Sequence, residues 1–211
     1  MLSTHISHQI YAKLSFDATF NQKKIIEKLS EWLADDDYRR IFLLNGYAGT
    51  GKTTIIAAFV AALNDLGIKT ILLAPTGRAA KVLSHYSHKD AYTIHKRIYR
   101  ERTSGEFESK FSLDFNKEKG AVFIVDEASM LDLFLTEALM RAMKRGARLI
   151  LIGDSDQLPS VGAGNILFDI ISSERINTVK LTEIFRQSKE SLIITNAHRI
   201  NEGTPPVLNI T

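Results

Sequence analysis

The chain has 211 residues and not one cysteine, which excludes a disulfide framework and any thiolate metal site. It also lacks long hydrophobic runs: none approaches the roughly 18 apolar residues of a helical membrane span. The first residues, "MLSTHISHQIYAKLSF", have no basic-then-apolar layout of a secretory signal, so a cytoplasmic location is expected, with no membrane partner. A large excess of charge of one sign is missing too. Lys and Arg total 27 against 24 Asp and Glu, leaving +3 and a pI near 9.0. That balance permits a polyanionic partner without identifying one. There are no internal repeats and no low-complexity tract, and only Gly203-Thr204-Pro205-Pro206 reads as a linker. What is left, 45% hydrophobic and 24% charged, is the composition of a globular protein long enough for one substantial domain or two small ones.

Short apolar runs alternate with helical patterns. Residues 40–46, 69–75, 121–127 and 147–154, with a weaker run at 176–181, are rich in Val, Ile or Leu and read as strands buried on both faces. Between them, 52–67, 77–88, 131–146 and 163–173 have helical spacing, and an amphipathic helix over 21–37 precedes the first strand. Gly67 and Gly146 stand where helices should stop. This alternation predicts an α/β fold with a mostly parallel sheet of five or more strands flanked by helices. Residues 98–118 break the pattern. Apolar and charged residues alternate there around Ser104-Gly105, predicting an inserted β-hairpin.

After the first strand comes "GYAGTGKT" (46–53), which fits the phosphate-loop pattern G-x-x-x-x-G-K-[ST]. Glycine costs backbone entropy, so a loop this rich in it needs bare backbone. Here the N–H groups around Gly46, Ala48, Gly49, Thr50 and Gly51, and on to Thr54, can converge on phosphate oxygens at a helix start. Lys52 would reach the β- and γ-phosphates of ATP, and the Thr53 hydroxyl would hold Mg²⁺. Asp126-Glu127 ends the apolar run "AVFIV", so both carboxylates emerge at a strand's carboxyl end, where ligands bind in open α/β sheets. Asp126 suits Mg²⁺, directly or through water, and Glu127 suits the activation of an attacking water.

Other stretches are more ambiguous. Gln157, in "GDSDQLPSVGAG" (153–164), can hydrogen-bond a γ-phosphate or the lytic water, although the block also fits a plain connecting loop. Arg186, after the fifth strand, can offset transition-state charge, and taken alone equally fits a surface position. "APTGRAA" (74–80) sets Thr76, Gly77 and Arg78 at a strand-to-helix turn suited to nucleic-acid phosphates. "TIHKRIY" (93–99) offers Thr93, His95 and Lys96, with Tyr92 and Tyr99 for stacking. Both also fit ordinary surface, and His95 alone fits a buried histidine.

In this order, "GYAGTGKTT", "APTGRAA", "TIH", "IVDEASMLD", "GDSDQLPSVGAG" and "LTEIFRQ" resemble the first motor lobe of superfamily 1 DNA helicases. The branch they resemble moves 5′ to 3′ and contains RecD-like and Dda-like enzymes. The likeness runs from about Phe16 to Pro206 and implies a P-loop, RecA-like fold over residues 1–211. It implies that Gln22, ahead of its competitor Gln9, reads the adenine edge, that Gln157 senses the γ-phosphate, and that Arg186 reaches it. Thr76, Gly77, Arg78, Thr93, His95, Lys96, Ser160 and Val161 would lie along single-stranded DNA, and residues 98–118 would stand where relatives carry a duplex-splitting pin. The family continues into a second RecA-like lobe that these residues do not include. The expectation is therefore a monomeric motor lobe that binds Mg-ATP, hydrolyses it poorly and cannot unwind alone. Two other functions fit the motifs: a P-loop switch acting on proteins, and a single-lobe nucleotide- or DNA-binding module. A nucleoside-monophosphate kinase fits less well, because residues 153–164 would have no role in it.

Overall fold

Strands whose consecutive residues are all apolar need cover on both faces, and the chain supplies it by crossing from strand to helix after nearly every strand. A computed structural model of the protein describes residues 1–35, 40–47, 49–102, 110–113, 120–144, 146–181, 192–201 and 203–208. Two helices lead, α1 (Leu2–Tyr11) and α2 (Phe20–Ala34). Then come β1 (Ile41–Gly46), α3 (Lys52–Asp65), β2 (Thr70–Ala74), α4 (Gly77–Ser87), β3 (Ala91–Thr93) and α5 (Ile94–Ile98). The short strands β4 (Tyr99–Arg102) and β5 (Lys110–Leu113) follow, then β6 (Val122–Val125), α6 (Leu133–Ala142), β7 (Arg148–Gly153), α7 (Ile166–Ser173), β8 (Asn177–Leu181) and α8 (Leu192–Asn201).

Six strands form one parallel sheet in the order β3-β2-β6-β7-β1-β8. Alternate residues of the four central strands β2, β6, β7 and β1 enter opposite cores, as a period of two requires, whereas the edge strands β3 and β8 feed only the first, and β8 is largely exposed rather than buried on both faces as expected. Phe42, Leu44, Leu72, Val122, Ile124, Ile150 and Ile152 face the helices α1 to α4, packing with Ile10, Ile26, Ile55, Phe59 and Leu83. Leu43, Ile71, Leu73, Phe123, Val125, Leu149 and Leu151 face the other way, onto Ile94, Ile98, Leu139 and Leu167 from α5, α6 and α7. Because every strand of this sheet is parallel, all carboxyl ends lie along one edge, where an open α/β sheet binds its ligands.

β4 and β5 pair antiparallel as a separate two-stranded sheet, with Tyr99 opposite Leu113 and Arg102 opposite Lys110. Ser104 and Gly105, the expected turn, lie outside the described residues. Several helix ends differ from the sequence reading: α2 stops at Ala34 and α7 starts only at Ile166. α6 starts at Leu133 because the Asp132 carboxylate accepts the Leu135 N–H at 2.7 Å and caps the helix, and it ends at Ala142, where Met143 turns extended. Gly146, at φ +93°, serves the turn into β7 and not the helix end. Gly67 does stop α3: at φ +69° it lets the Ile68 N–H reach back to the Leu63 carbonyl at 2.8 Å. Among the described residues, no helix is long and apolar enough to cross a membrane.

Candidate functional site

The loop between β1 and α3 is shaped by backbone that side chains disfavour. Gly49 (φ +77°) and Gly51 (φ +86°) are left-handed. Gly46 is needed for a different reason: a Cβ there would lie 2.8 Å from Leu181 Cβ and 2.9 Å from the Leu181 carbonyl, so β8 can close against β1 only over bare backbone. The buried Thr50 hydroxyl donates to the Tyr47 carbonyl at 2.7 Å and ties the loop to itself. The Lys52 ammonium donates to the carbonyls of Gly46 and Tyr47, the latter at 2.9 Å, and so lies over the loop. Gly51 is the N-cap of α3 and no side chain caps that start, which leaves the amides of its first turn facing outward. Ala48 lies outside the described residues.

Two neighbouring strand ends add carboxylates. Asp126 follows β6 and accepts the Glu127 N–H at 2.9 Å. Glu127 is left-handed at φ +54°, an unfavourable conformation for a residue with a side chain, and starts the 3₁₀ turn Ala128–Met130. Asp154 follows β7, is 6% exposed, and accepts the Asp156 N–H at 3.0 Å. Buried Asn45 of β1 locks this loop to the first: its amide donates to Ser155 Oγ at 3.0 Å and its carbonyl accepts the Ser155 N–H at 3.1 Å.

These groups surround one open cleft of about 620 Å³, within the size of a small-molecule site. Of the residues singled out in the sequence, Gly49, Gly51, Lys52, Thr53, Thr54, Asp126, Glu127 and Gln157 line it. Burial holds the Lys52 ammonium below its ordinary pKa, against the pull of Asp154, Asp126 and Glu127. Burial raises Asp126, with the Glu127 amide and Lys52 opposing. Burial also raises Glu127, and the like charge of Asp126 adds to it. A basic glutamate beside a cation and an uncapped helix start is an arrangement for binding an anion and taking a proton close to it.

The remaining candidates spread more widely. Gln22 is buried at the start of α2, where its Oε1 accepts the Thr19 N–H at 3.0 Å in a capping box. It is not among the residues lining the cleft, whereas Phe16 is. Thr76 and Arg78 line a second hollow of about 260 Å³ that shares Val82, Asp126, Glu127 and Gln157 with the cleft. The Thr76 hydroxyl accepts the Ala79 N–H at 3.2 Å as the cap of α4, which begins at Gly77. Thr93 caps α5 in the same way, His95 stacks on Tyr99 at 6.0 Å, and Lys96 lies 5.9 Å over Tyr92. Ser160 donates to the carbonyl of Gly164 at 3.1 Å, and Val161 next to it is fully exposed. Arg186 lies outside the described residues.

Sequence reasoning passed over Phe16, Tyr47, Val82, Tyr86, Gly153 and Asp154, which also line the cleft. For Asp154 a signal existed. It ends the apolar run "RLILIG" just as Asp126 ends "AVFIV". Tyr47 sits inside the loop motif at a position free to vary, where Lys180 covers its ring at 4.8 Å. Phe16, Val82 and Tyr86 come from segments whose approach to the loop only the tertiary fold decides.

A family profile described as an AAA domain matches residues 21–211. The ATP-dependent RecD2 DNA helicase of Deinococcus radiodurans is 34% identical over 177 residues, covering 82% of this chain and 24% of the helicase. The ATP-dependent DNA helicase dda of Enterobacteria phage T4 is 39% identical over 126 residues, covering 57% of this chain and 28% of the phage protein. The chain thus spans about a quarter of each relative's length. The crystal structure of Pif1 helicase from Candida albicans shares the fold, with a TM-score of 0.59 at 21% identity over 90% of this chain and 45% of that one.

Proposed function

The chain belongs to the AAA domain family, and on that footing we propose that it is the ATP-binding and hydrolysing first motor lobe of a RecD-like DNA helicase. The observation that carries this is the uncapped start of α3, under Lys52, in one cleft with Asp126, Glu127 and Gln157. The first-turn amides and Lys52 bind the β- and γ-phosphates. The donor set fits a hard cation held mainly by phosphates: the Thr53 hydroxyl and Asp126 line the same cleft and would hold Mg²⁺, which supplies charge neutralisation at the phosphates. Glu127 takes a proton from the attacking water as the water's oxygen bonds to the γ-phosphorus and the bond to the leaving ADP oxygen breaks. Arg186 adds positive charge at the γ-phosphate.

In the complete protein this turnover drives 5′-to-3′ movement on single-stranded DNA. The strand lies along Thr76–Arg78, Thr93–Lys96 and the exposed Ser160–Val161 loop, with a second RecA-like lobe closing on the nucleotide. The hairpin of β4 and β5 acts at the duplex junction. The homology to helicases, and the exposure of Lys96 and Val161, support this part.

The test is equilibrium binding of Mg-ATP to the wild type and to Lys52→Ala, followed by hydrolysis with and without single-stranded DNA in a two-lobe form. Loss of a charge-assisted contact should weaken binding by at least about tenfold. Equal binding by both proteins rejects the phosphate-loop assignment, and turnover indifferent to DNA favours a switch acting on proteins.

A further inference from the structure

Gln157 can serve the γ-phosphate as a donor or the water as an acceptor, and its neighbours decide between the two. The left-handed Glu127 turns the chain into the 3₁₀ segment Ala128–Met130, with the Met130 N–H on the Glu127 carbonyl at 3.0 Å. Ser129 in that segment is 5% exposed. The end of β7 comes close enough that a Cβ at Gly153 would lie 3.2 Å from the Ser129 nitrogen. From there the Ser129 hydroxyl donates across to Gln157 Oε1 at 3.3 Å, while the Gln157 N–H donates to the Asp154 carbonyl at 3.2 Å. Gln157 lines both the cleft and the adjoining hollow, and Ser129 lines neither.

We propose that Ser129 is a positioning residue that holds the acceptor end of the Gln157 carboxamide away from the cleft and so presents its –NH₂ to the γ-phosphate. An amide nitrogen only donates. Turned inward, it binds a phosphate oxygen and cannot accept the proton of the attacking water, which is left to Glu127. Gln157 then discriminates triphosphate from diphosphate. This rests on the nucleotide reading above and divides its labour between two residues.

The experiment measures equilibrium binding of ADP and of a non-hydrolysable ATP analogue, each with Mg²⁺, to the chain as it stands. Ser129→Ala frees the carboxamide to rotate, and the analogue should bind about fivefold more weakly, the scale of one neutral hydrogen bond, with ADP unchanged. Ser129→Thr keeps the hydroxyl and should restore the ratio. Gln157→Glu still accepts from Ser129 but offers a carboxylate to the phosphate, so analogue binding should fall by more than about tenfold, the scale of a contact involving charge. A Ser129→Ala protein that binds both nucleotides as the wild type does, or loses both equally, overturns the proposal, as does a Gln157→Glu protein with an unchanged analogue-to-ADP ratio. Wild type that binds neither nucleotide overturns the phosphate-site reading itself, a result distinct from any change in ratio.

Discussion

The starts of α3 and α4 are built on one plan and finished differently. Both helices begin just after a buried parallel strand, at the same edge of the sheet, with a glycine and a cation among their first residues. At α4 the Thr76 side chain takes the Ala79 amide. At α3 the cap is Gly51, which has no side chain to offer. The helices α2, α5, α6 and α7 follow α4, with Thr19, Thr93, Asp132 and Asn165 as caps. A side-chain cap satisfies locally the donors a ligand would otherwise need, whereas an uncapped start keeps them for an anion. On the proposed function the contrast separates phosphate binding at α3 from whatever passes over α4, although the two share Asp126, Glu127 and Gln157 along their common border.

The largest effect expected along that border is from Glu127→Gln. Removing the proton acceptor should lower hydrolysis by about 10²–10⁴-fold while leaving nucleotide affinity near the wild-type value, read by steady-state turnover beside equilibrium binding. The pH behaviour has a definite sign. On the proposed mechanism hydrolysis needs the Glu127 carboxylate, so wild-type turnover should fall as pH drops through a pKa lying above the ordinary 4.5. A carboxyl raised in the folded state favours folding while protonated, and that contribution is lost as pH rises through the folded pKa. Glu127→Gln should therefore melt higher than the wild type at neutral pH, with the gap closing in acid.

Next in size is the contrast in cations. Arg78→Ala at the capped start should leave Mg-ATP affinity within about twofold, since Arg78 lines the adjoining hollow and not the cleft beside the first turn of α3. A drop as large as that expected for Lys52→Ala would erase the distinction between the two helix starts. Gly51→Ala should cost about 1–2 kcal/mol of stability, because alanine must then adopt φ near +86°, and a thermal melt reads the loss. A smaller stability loss is expected from Thr76→Ala, which should cost about 1 kcal/mol as a lost cap, with nucleotide affinity unchanged. Weaker nucleotide binding there would mean that the α4 start also holds phosphate.

The central strands were readable because each is a run of apolar residues broken by polar or turn chemistry, and both cores confirm why: alternate side chains of one strand enter opposite layers. Pieces outside that rule escaped. β3 is three residues, Ala91–Thr93, too short to show any period. α1 reads as polar, yet it buries Ile6 and Ile10 against α2 and α3. Within the cleft, Lys52, Thr53, Asp126 and Glu127 were visible because a local motif or strand end displays them. Ser129 was not, because its significance lies in a hydroxyl reaching Gln157, 28 positions further along the chain. For Gln22 a signal existed, since the Thr-x-x-Gln spacing from Thr19 is that of a capping box, in which its Oε1 accepts the Thr19 N–H.

The place of β1 between β7 and β8 also bears on how the molecule is made. The strand that carries the phosphate loop is synthesised before its two hydrogen-bonding neighbours, Arg148–Gly153 and Asn177–Leu181, which emerge more than a hundred residues later. Closing such long loops is what slows parallel sheets. On the ribosome the nascent chain must therefore carry Phe42, Leu43 and Leu44 unpaired until most of the domain exists. Nucleotide cannot help it earlier, because the cradle it would occupy needs Asn45 bound to Ser155 and Gly46 pressed against Leu181. Any ligand of that cradle therefore meets the domain only after both partner strands of β1 are in place.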